Sequence, residues 1–194
     1  MIEIYAQNIE DTWFAIALNQ QQIIASSFGA DHQTTIKNVL SKVPFNMAFQ
    51  IFHQPIPSAK NILMTLKRVY DGKKVEANLS LATTHLPIYT KKVLKTTESI
   101  PLGYVTSYGA IAKAAGGGPR AVGNIMASNP FAPIVPCHRV VRSDFTLGGY
   151  GFGLKIKIQL LGREKRGFSS SKTIEVNDKQ LTVFPVEYVL KNFA

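Results

Sequence analysis

The only cysteine in the chain, Cys137, lies in the segment Pro136-Cys137-His138-Arg139-Val140. A thiolate is a strong nucleophile, and cationic neighbours favour it over the unreactive thiol. His138 and Arg139 provide such neighbours, so the segment predicts a nucleophilic cysteine. The alternative is that Cys137 is a small buried apolar residue, as free cysteines commonly are.

A nucleophilic thiol also needs a group that accepts its proton. In an extended segment adjacent side chains point to opposite faces, so we expect no direct contact between His138 and Cys137. A tight turn or a bridging water would then relay the proton. Glu164, in a predicted helix, could orient the other ring nitrogen of His138, as in a Cys–His–carboxylate triad.

A single cysteine excludes an intrachain disulfide and any zinc site that needs two thiolates. The histidines do not cluster in the sequence, and we expect neither a metal nor a cofactor. They are His32, His53, His85 and His138.

The formal net charge of +10 is unevenly distributed. Residues 1–85 hold seven Lys/Arg and six Asp/Glu, a net charge of +1, whereas residues 86–166 hold twelve and three, a net charge of +9. Residues 167–194 hold three of each. This excess predicts a polyanion-binding domain. A basic surface that only keeps the protein in solution is the alternative.

Two structural units must position these groups, and together they predict an α+β fold. Residues 1–85 predict a small N-terminal α/β domain with a hairpin-based sheet, because apolar strands at 12–18 and 23–28 flank a polar segment. Helices are expected at 31–42 and from Pro57 to the stop signal Asp71-Gly72.

Residues 86–167 predict a mostly helical domain. We expect helices from Pro87 to about Glu98, over 108–115, over 119–128 and over 154–165. Thr106 or Ser107 is a suitable N-cap for the second of these helices. Three glycines at 116–118 separate two short helices, which is typical of a helix-turn-helix.

Residues 168–194 form a C-terminal extension. Its pattern predicts a hairpin around Asn177-Asp178, and we expect it to pack on the first domain. No apolar run approaches the roughly 18 residues that cross a bilayer, and the first residues do not resemble a secretory signal. We therefore expect a cytoplasmic protein with no membrane partner.

The second helix of the helix-turn-helix has an unusual outer face. Val122, Ile125 and Met126 are expected to face the core, and small side chains beside one arginine occupy the other face. Small residues permit the close approach that a minor groove about 6 Å wide requires, and the arginine could enter the base stack. Alternatively, the alanines are only good helix formers and the arginine is solvated. The outer residues are Arg120, Ala121, Asn124, Ala127 and Ser128.

Taken together, these motifs resemble the O6-alkylguanine-DNA alkyltransferases, also called methylated-DNA–protein-cysteine methyltransferases. The resemblance is close over residues 86–167, extends only to architecture over 1–85, and is absent after Gly167. The residues that carry it are Ser107-Tyr108, Arg120-Ala-Val-Gly123, Asn129-Pro130, Pro136-Cys-His-Arg-Val140, Gly148-Gly-Tyr150 and Glu164.

The resemblance implies DNA repair by direct damage reversal. A monomer would flip the damaged nucleotide out of double-stranded DNA through the minor groove. It would then move the alkyl group irreversibly from O6-alkylguanine, and also from O4-alkylthymine, to Cys137. No cofactor is implied.

The resemblance also implies roles for single residues. Cys137 would accept the alkyl group, His138 would be its water-mediated base, and Glu164 would hold that histidine. Asn129 would pin the turn before the cysteine loop, and Tyr108 would crowd the phosphate and help to protonate the departing base. The implied DNA and guanine contacts are Arg120, Ala121, Ala127, Ser143, Tyr150, Val140, Gly148 and Gly151.

The sequence departs from the family pattern at three places. The turn at Gly116–Gly118 is shorter than in some members, and Gly151 replaces a serine that some members have. His85 has no zinc role, because the cysteines of the zinc site found in some members are missing.

Three other functions remain open at this point. A damage-binding protein on the same fold would flip alkylguanine without accepting the alkyl group, but such proteins lack the cysteine. A cysteine hydrolase would not need the basic helix-turn-helix, and a transcription factor would not need the cysteine loop. The sequence does not indicate the preferred alkyl group.

Overall fold

The computed structural model describes residues 1–76 and 78–193, and the chain divides into two compact units. The first unit comprises Met1–His85 and Pro130–Ile134, and the second comprises Leu86–Asn129 and Val135–Ala194. Both units contain helices and a four-stranded sheet, so the prediction of an α+β fold is confirmed.

The first unit is built on a four-stranded sheet. Its strands are β1 (Ile2–Ile9), β2 (Thr12–Asn19), β3 (Gln22–Gly29) and β4 (Phe49–Phe52), in the order β3-β2-β1-β4, with β4 parallel to β1. The predicted hairpin forms because the polar turn between β2 and β3 adopts left-handed backbone angles at Gln20 and Gln21, which suits a two-residue turn.

Two helices complete this unit. Helix α1 (His32–Leu40) begins where the Asp31 side chain accepts a hydrogen bond from the Thr34 amide, and α2 (Pro57–Tyr70) begins with its proline. One sheet face packs on α1 through a core that includes Ile4 and Val39. Residues 130–134 join this unit because the Pro130 carbonyl accepts a hydrogen bond from the Ser26 amide.

The second unit contains the predicted helices and a second sheet. Its helices are α3 (Ile88–Glu98), α4 (Tyr108–Ala115), α5 (Pro119–Ala127), α6 (Leu154–Arg163) and α7 (Glu187–Leu190). Its strands are β5 (Tyr104–Ser107), β6 (Val140–Val141), β7 (Lys172–Val176) and β8 (Lys179–Pro185), in the order β6-β5-β8-β7. Helices α4 and α5 follow one another across the glycine turn, and the Ser107 side chain caps α4.

The C-terminal extension belongs to the second unit, so the expectation that it packs on the first unit is wrong. Strand β8 pairs with β5 in antiparallel fashion and satisfies backbone groups that a free edge would expose. Val186 and Val189 lie in the same core as Val105, Val141 and Leu161. Burial of these side chains therefore ties the extension to the strands on either side of the cysteine loop.

Within the described residues, every helix is too short or too polar to span a bilayer.

Candidate active site

Cys137 begins a single turn of 3-10 helix, Cys137–Arg139, immediately after Pro136. The segment is therefore a tight turn rather than an extended strand, because the Arg139 amide donates to the Pro136 carbonyl at 2.9 Å. A tight turn is one of the two arrangements that the sequence left open for the proton relay. Cys137 is only 6% exposed, yet it lines an open cavity of about 780 Å³ in the second unit.

His138 and Glu164 form a buried pair beside the cysteine. The distance from His138 Nε2 to Glu164 Oε1 is 2.7 Å, and each side chain is 1% exposed. Burial lowers the pKa of His138, although the Glu164 charge opposes this shift. The ring is thus neutral at pH 7, with Nε2–H donating to Glu164. Its Nδ1 atom is buried and has no hydrogen-bond partner among the described residues.

Arg139 donates hydrogen bonds to the same Glu164 carboxylate. Its Nε donates to Glu164 Oε2 at 2.9 Å, its Nη2 donates to Oε1 at 3.0 Å, and its Nη1 donates to the Ile100 carbonyl at 2.6 Å. Burial opposes ionisation of Glu164, but the charges and hydrogen bonds of His138 and Arg139 outweigh it and lower the pKa of Glu164 to about 2. Glu164 is therefore an anion at any neutral pH.

The ionisation of Cys137 differs from the sequence prediction. Burial raises the pKa of the Cys137 thiol, and a hydrogen bond from the Asn129 side chain and the charge of Lys157 only partly offset this effect. His138 is neutral and Arg139 faces Glu164, so the predicted cationic setting from these two neighbours is wrong. The resting sulfur is a thiol, and its reaction requires a base.

Sequence reasoning missed Lys157, the cation that acts on the cysteine. Its buried Nζ donates to the carbonyls of Val140, at 2.7 Å, Leu147 and Gly149. Burial lowers the pKa of Lys157 to about 8. A signal was present, because Lys157 and Glu164 lie seven residues apart on the face of α6 that also buries Leu160 and Leu161.

Tyr108 closes one side of the cavity. Its hydroxyl donates to the Gly149 carbonyl at 3.4 Å, and burial raises the pKa of the phenol, which keeps its proton. Gly148 has a φ of +65°, and a Cβ there would lie 2.9 Å from the Tyr108 ring. Only glycine fits this position, so the glycine-rich turn and the phenol determine each other's placement.

Asn129 connects the end of α5 to the cysteine loop. Its Nδ2 donates to the Val135 carbonyl at 2.9 Å, and its side chain also hydrogen-bonds to Cys137. One buried amide therefore holds both the backbone before the cysteine and the sulfur itself.

The structure brings together most, but not all, of the residues expected to contact DNA. Ala121 and Val140 do not line the cavity; Val140 is buried, and its carbonyl accepts from Lys157. Arg142 and Asp144 do line it and were not predicted. The predicted residues in its wall are Tyr108, Arg120, Ala127, Ser143, Gly148, Tyr150 and Gly151.

No group of three or more His, Cys, Asp or Glu side chains in residues 1–76 and 78–193 has an arrangement that could hold a metal ion.

Comparison with known proteins identifies the family of this chain. Residues 89–166 match the family model described as the DNA-binding domain of 6-O-methylguanine DNA methyltransferase. A protein from Acanthamoeba polyphaga mimivirus, described as a probable methylated-DNA–protein-cysteine methyltransferase, is 40% identical over 114 residues, which are 57% of this chain and 75% of that protein. The chain belongs to the methylated-DNA–protein-cysteine methyltransferase family.

Curated methyltransferases from archaea are similar over part of their length. The protein from Methanothermobacter thermautotrophicus is 39% identical over 111 residues, 57% of this chain and 63% of that protein. The protein from Methanocaldococcus jannaschii is 43% identical over 102 residues, 53% of this chain and 60% of that protein. The chain thus spans less than two thirds of these relatives.

Solved methyltransferase structures align over more of the chain. The O6-methylguanine-DNA methyltransferase from Pyrococcus kodakaraensis aligns with a TM-score of 0.67 and 27% identity, over 84% of this chain and 99% of that one. A Mycobacterium tuberculosis methyltransferase solved in complex with DNA aligns with a TM-score of 0.66 and 26% identity, over 84% and 92%.

Proposed function

We propose that this methyltransferase repairs O6-alkylguanine in double-stranded DNA by transferring the alkyl group irreversibly to Cys137. The observation that carries the proposal is the position of the sulfur. It lies in the wall of an open cavity, with the buried His138–Glu164 pair beside it and Arg120 of α5 in the same cavity. In such a site a nucleophile, a base and a DNA-facing helix can all reach the same nucleotide.

Cys137 is activated when it loses its proton. The neutral His138 ring has a lone pair on Nδ1, and Nε2–H is held by the Glu164 carboxylate. A water between the Cys137 thiol and Nδ1 would carry the proton from sulfur to the ring. The imidazolium that forms faces an anion already balanced by Arg139, and Lys157 stabilises the thiolate.

The transfer is an in-line displacement. The Cys137 thiolate attacks the alkyl carbon, so that an S–C bond forms as the C–O6 bond breaks. The electron pair of that bond returns to the purine, which takes up one proton and becomes ordinary guanine. Tyr108, protonated and at the mouth of the cavity, is placed to donate a hydrogen bond to the departing base.

Access to the alkyl carbon requires the nucleotide to leave the base stack, which costs a few kcal/mol. Phosphate contacts from the basic domain offset this cost, and Arg120 would occupy the vacated place in the stack. Ala121 and Ala127 would allow α5 to approach the minor groove, and Ser143 would contact DNA. Tyr150 and the Gly148–Gly151 turn would form the guanine pocket.

The product thioether has no good leaving group, and no second nucleophile is assigned to clear it. Each molecule therefore acts once. We expect it to act as a monomer and without a cofactor. O4-alkylthymine presents the same type of alkyl carbon and is a second expected substrate. A single reactive thiol must stay reduced, which a cytoplasmic location provides.

The test is incubation with a duplex that contains O6-methylguanine, followed by peptide mass measurement. The peptide with Cys137 should gain the mass of one methyl group, and Cys137→Ala should bind the duplex without gaining it. Binding by the wild-type protein with no gain in mass would instead identify a damage-binding protein that does not accept the alkyl group.

A further inference from the structure

The hairpin in the C-terminal extension, Lys172–Pro185, meets two helices of the DNA-binding domain at its turn. Asn177 Nδ2 donates to Thr96 Oγ1 of α3 at 3.1 Å. Lys179 Nζ donates to the Lys113 carbonyl in the last turn of α4 at 3.3 Å. These two contacts place the hairpin turn at the C-terminal ends of α3 and α4.

A group of lysines surrounds this meeting point, and we call Lys92, Lys113 and Lys179 the lysine patch. All three are exposed, and none forms an ion pair with another residue that the structure describes. Lys179 of β8 pairs with the buried Val176 of β7, so both side chains lie on one face of the hairpin. Glu175 pairs with Gln180, and these two lie on the other face. Strand β7 therefore places no carboxylate on the face of the hairpin that carries Lys179.

The patch is close to the helix that carries Arg120. Tyr89 of α3 lies against Gly117, where a Cβ would be 2.2 Å from the tyrosine hydroxyl. Thr96, which Asn177 contacts, follows Tyr89 by seven residues, or about 10 Å along the helix. Gly117 precedes Arg120 by only three residues. Lys113, in the last turn of α4, precedes Arg120 by seven residues, so the patch lies at the end of α4 that leads into α5.

We propose that the hairpin adds a phosphate-contact site, in which Lys113 and Lys179 bind the DNA backbone that flanks the nucleotide engaged by Arg120. This inference rests on the proposed function, because the ligand is the same duplex. The family match ends at residue 166, so Lys179 adds a contact from outside the matched DNA-binding domain. The Asn177–Thr96 bond holds the turn in place for that contact.

Single substitutions separate charge from structure at this site. Lys113→Ala removes an ammonium group but keeps the backbone carbonyl that Lys179 binds, and alanine is a good helix former. Lys179→Ala removes the other charge, and Lys179→Arg retains it. Lys191→Ala is the matched control, because Lys191 is an exposed lysine of the same extension that lies over the Tyr188 ring.

The measurement is the dissociation constant for an undamaged duplex between 50 and 200 mM salt, by fluorescence anisotropy. Lys113→Ala and Lys179→Ala should each reduce the slope of log affinity against log salt by about 1, so that affinity falls about three- to four-fold less over this range. Lys179→Arg and Lys191→Ala should keep the wild-type slope. Melting temperatures of all variants report on the fold.

Wild-type slopes for both alanine variants would overturn the proposal. A lower melting temperature for Lys179→Ala with an unchanged slope would also overturn it, because the lysine would then only support α4. If methyl transfer to Cys137 proceeds in the wild-type protein, either result refutes the hairpin contact alone. Absence of transfer in the wild-type protein would refute the proposed function instead.

Discussion

At the level of single residues, the ionisation of Cys137 depends on groups that the fold buries beside it. The thiol keeps its proton because burial raises its pKa, and His138, the base that we propose, is neutral and lies within the same turn. Arg139 pairs with Glu164 rather than with the sulfur, because two of its nitrogens donate hydrogen bonds to that carboxylate. The resting site thus contains one ion pair, Arg139–Glu164, beside a neutral thiol and a neutral imidazole.

The ion pair at Glu164 makes a prediction about acid stability. The folded-state pKa of about 2 lies below the ordinary value of 4.5, so the contribution of Glu164 is complete above pH 4.5 and is lost as the pH falls towards 2. The difference corresponds to about 3 kcal/mol. In Glu164→Gln we expect this part of the pH dependence to vanish, as measured by denaturant unfolding at pH 2–7.

His138 contributes over a separate range. Its pKa is lowered from 6.5, so stability from the neutral ring is lost as the pH falls below 6.5, and this part should remain in Glu164→Gln. The variant should also lose about 3–5 kcal/mol at pH 7, because Arg139 is left buried without its partner. Glu175→Gln, at an exposed position of β7, is the control. Unchanged acid sensitivity in Glu164→Gln would contradict the assignment.

At the level of elements, α6 and the C-terminal extension support the cysteine loop from different sides. Lys157 of α6 and Glu164, which caps the end of α6, lie about two turns apart on one face, so this face supplies both the cation near the sulfur and the anion behind the histidine. Strand β8 extends the sheet that contains β5, and β5 pairs in parallel with β6, directly after the cysteine turn.

Truncation tests the extension as a part of the second unit. A chain that stops after Gly167 loses Val176, Leu181, Val183, Val186 and Val189, all buried. At about 1.5–3 kcal/mol for each large buried side chain, this loss is comparable with the 5–15 kcal/mol that stabilises a typical domain. We therefore expect the melting temperature of the second unit to collapse and methyl transfer to cease.

The matched control stops after Leu190 and keeps every one of those side chains. It should melt within a few degrees of the full chain. If the chain that stops after Gly167 also melted at the temperature of the full chain, the extension would lie on the surface and would not be part of the core.

At the level of the whole molecule, the two units differ in charge and therefore in their expected tasks. Residues 86–166 carry a net charge of +9, whereas residues 1–85 carry +1. The cavity, the cysteine and the glycine turn all belong to the second unit. We therefore expect both the attraction of DNA and the chemistry to be functions of the second unit.

The thioether chemistry predicts the stoichiometry of the whole protein. With an excess of O6-methylguanine duplex, the amount of lesion repaired should equal the amount of protein and then stop, because no group is assigned to regenerate Cys137. Quantified methyl transfer over time measures this ratio, with Cys137→Ala as the blank. A ratio well above one would show turnover and contradict the irreversible mechanism.

Much of the architecture could be predicted because local signals determine it. The polar turn between two apolar strands predicts the first hairpin, and Ser107, Pro119 and the glycines between them predict the ends of α4 and α5. The cysteine segment and its family resemblance indicate the chemistry that we propose. Side-chain type, periodicity and capping act over a few residues, so they can be recognised in the amino-acid sequence alone.

Only the tertiary structure decided which charges meet. Arg139 binds a carboxylate 25 positions away instead of activating its neighbour Cys137, and Lys157 reaches the cysteine loop from another helix. The extension belongs to the second unit because its strand β8 pairs with the edge of β5. Burial and long-range contacts determine these outcomes, since the desolvation that shifts a pKa depends on packing from the whole unit rather than on sequence neighbours.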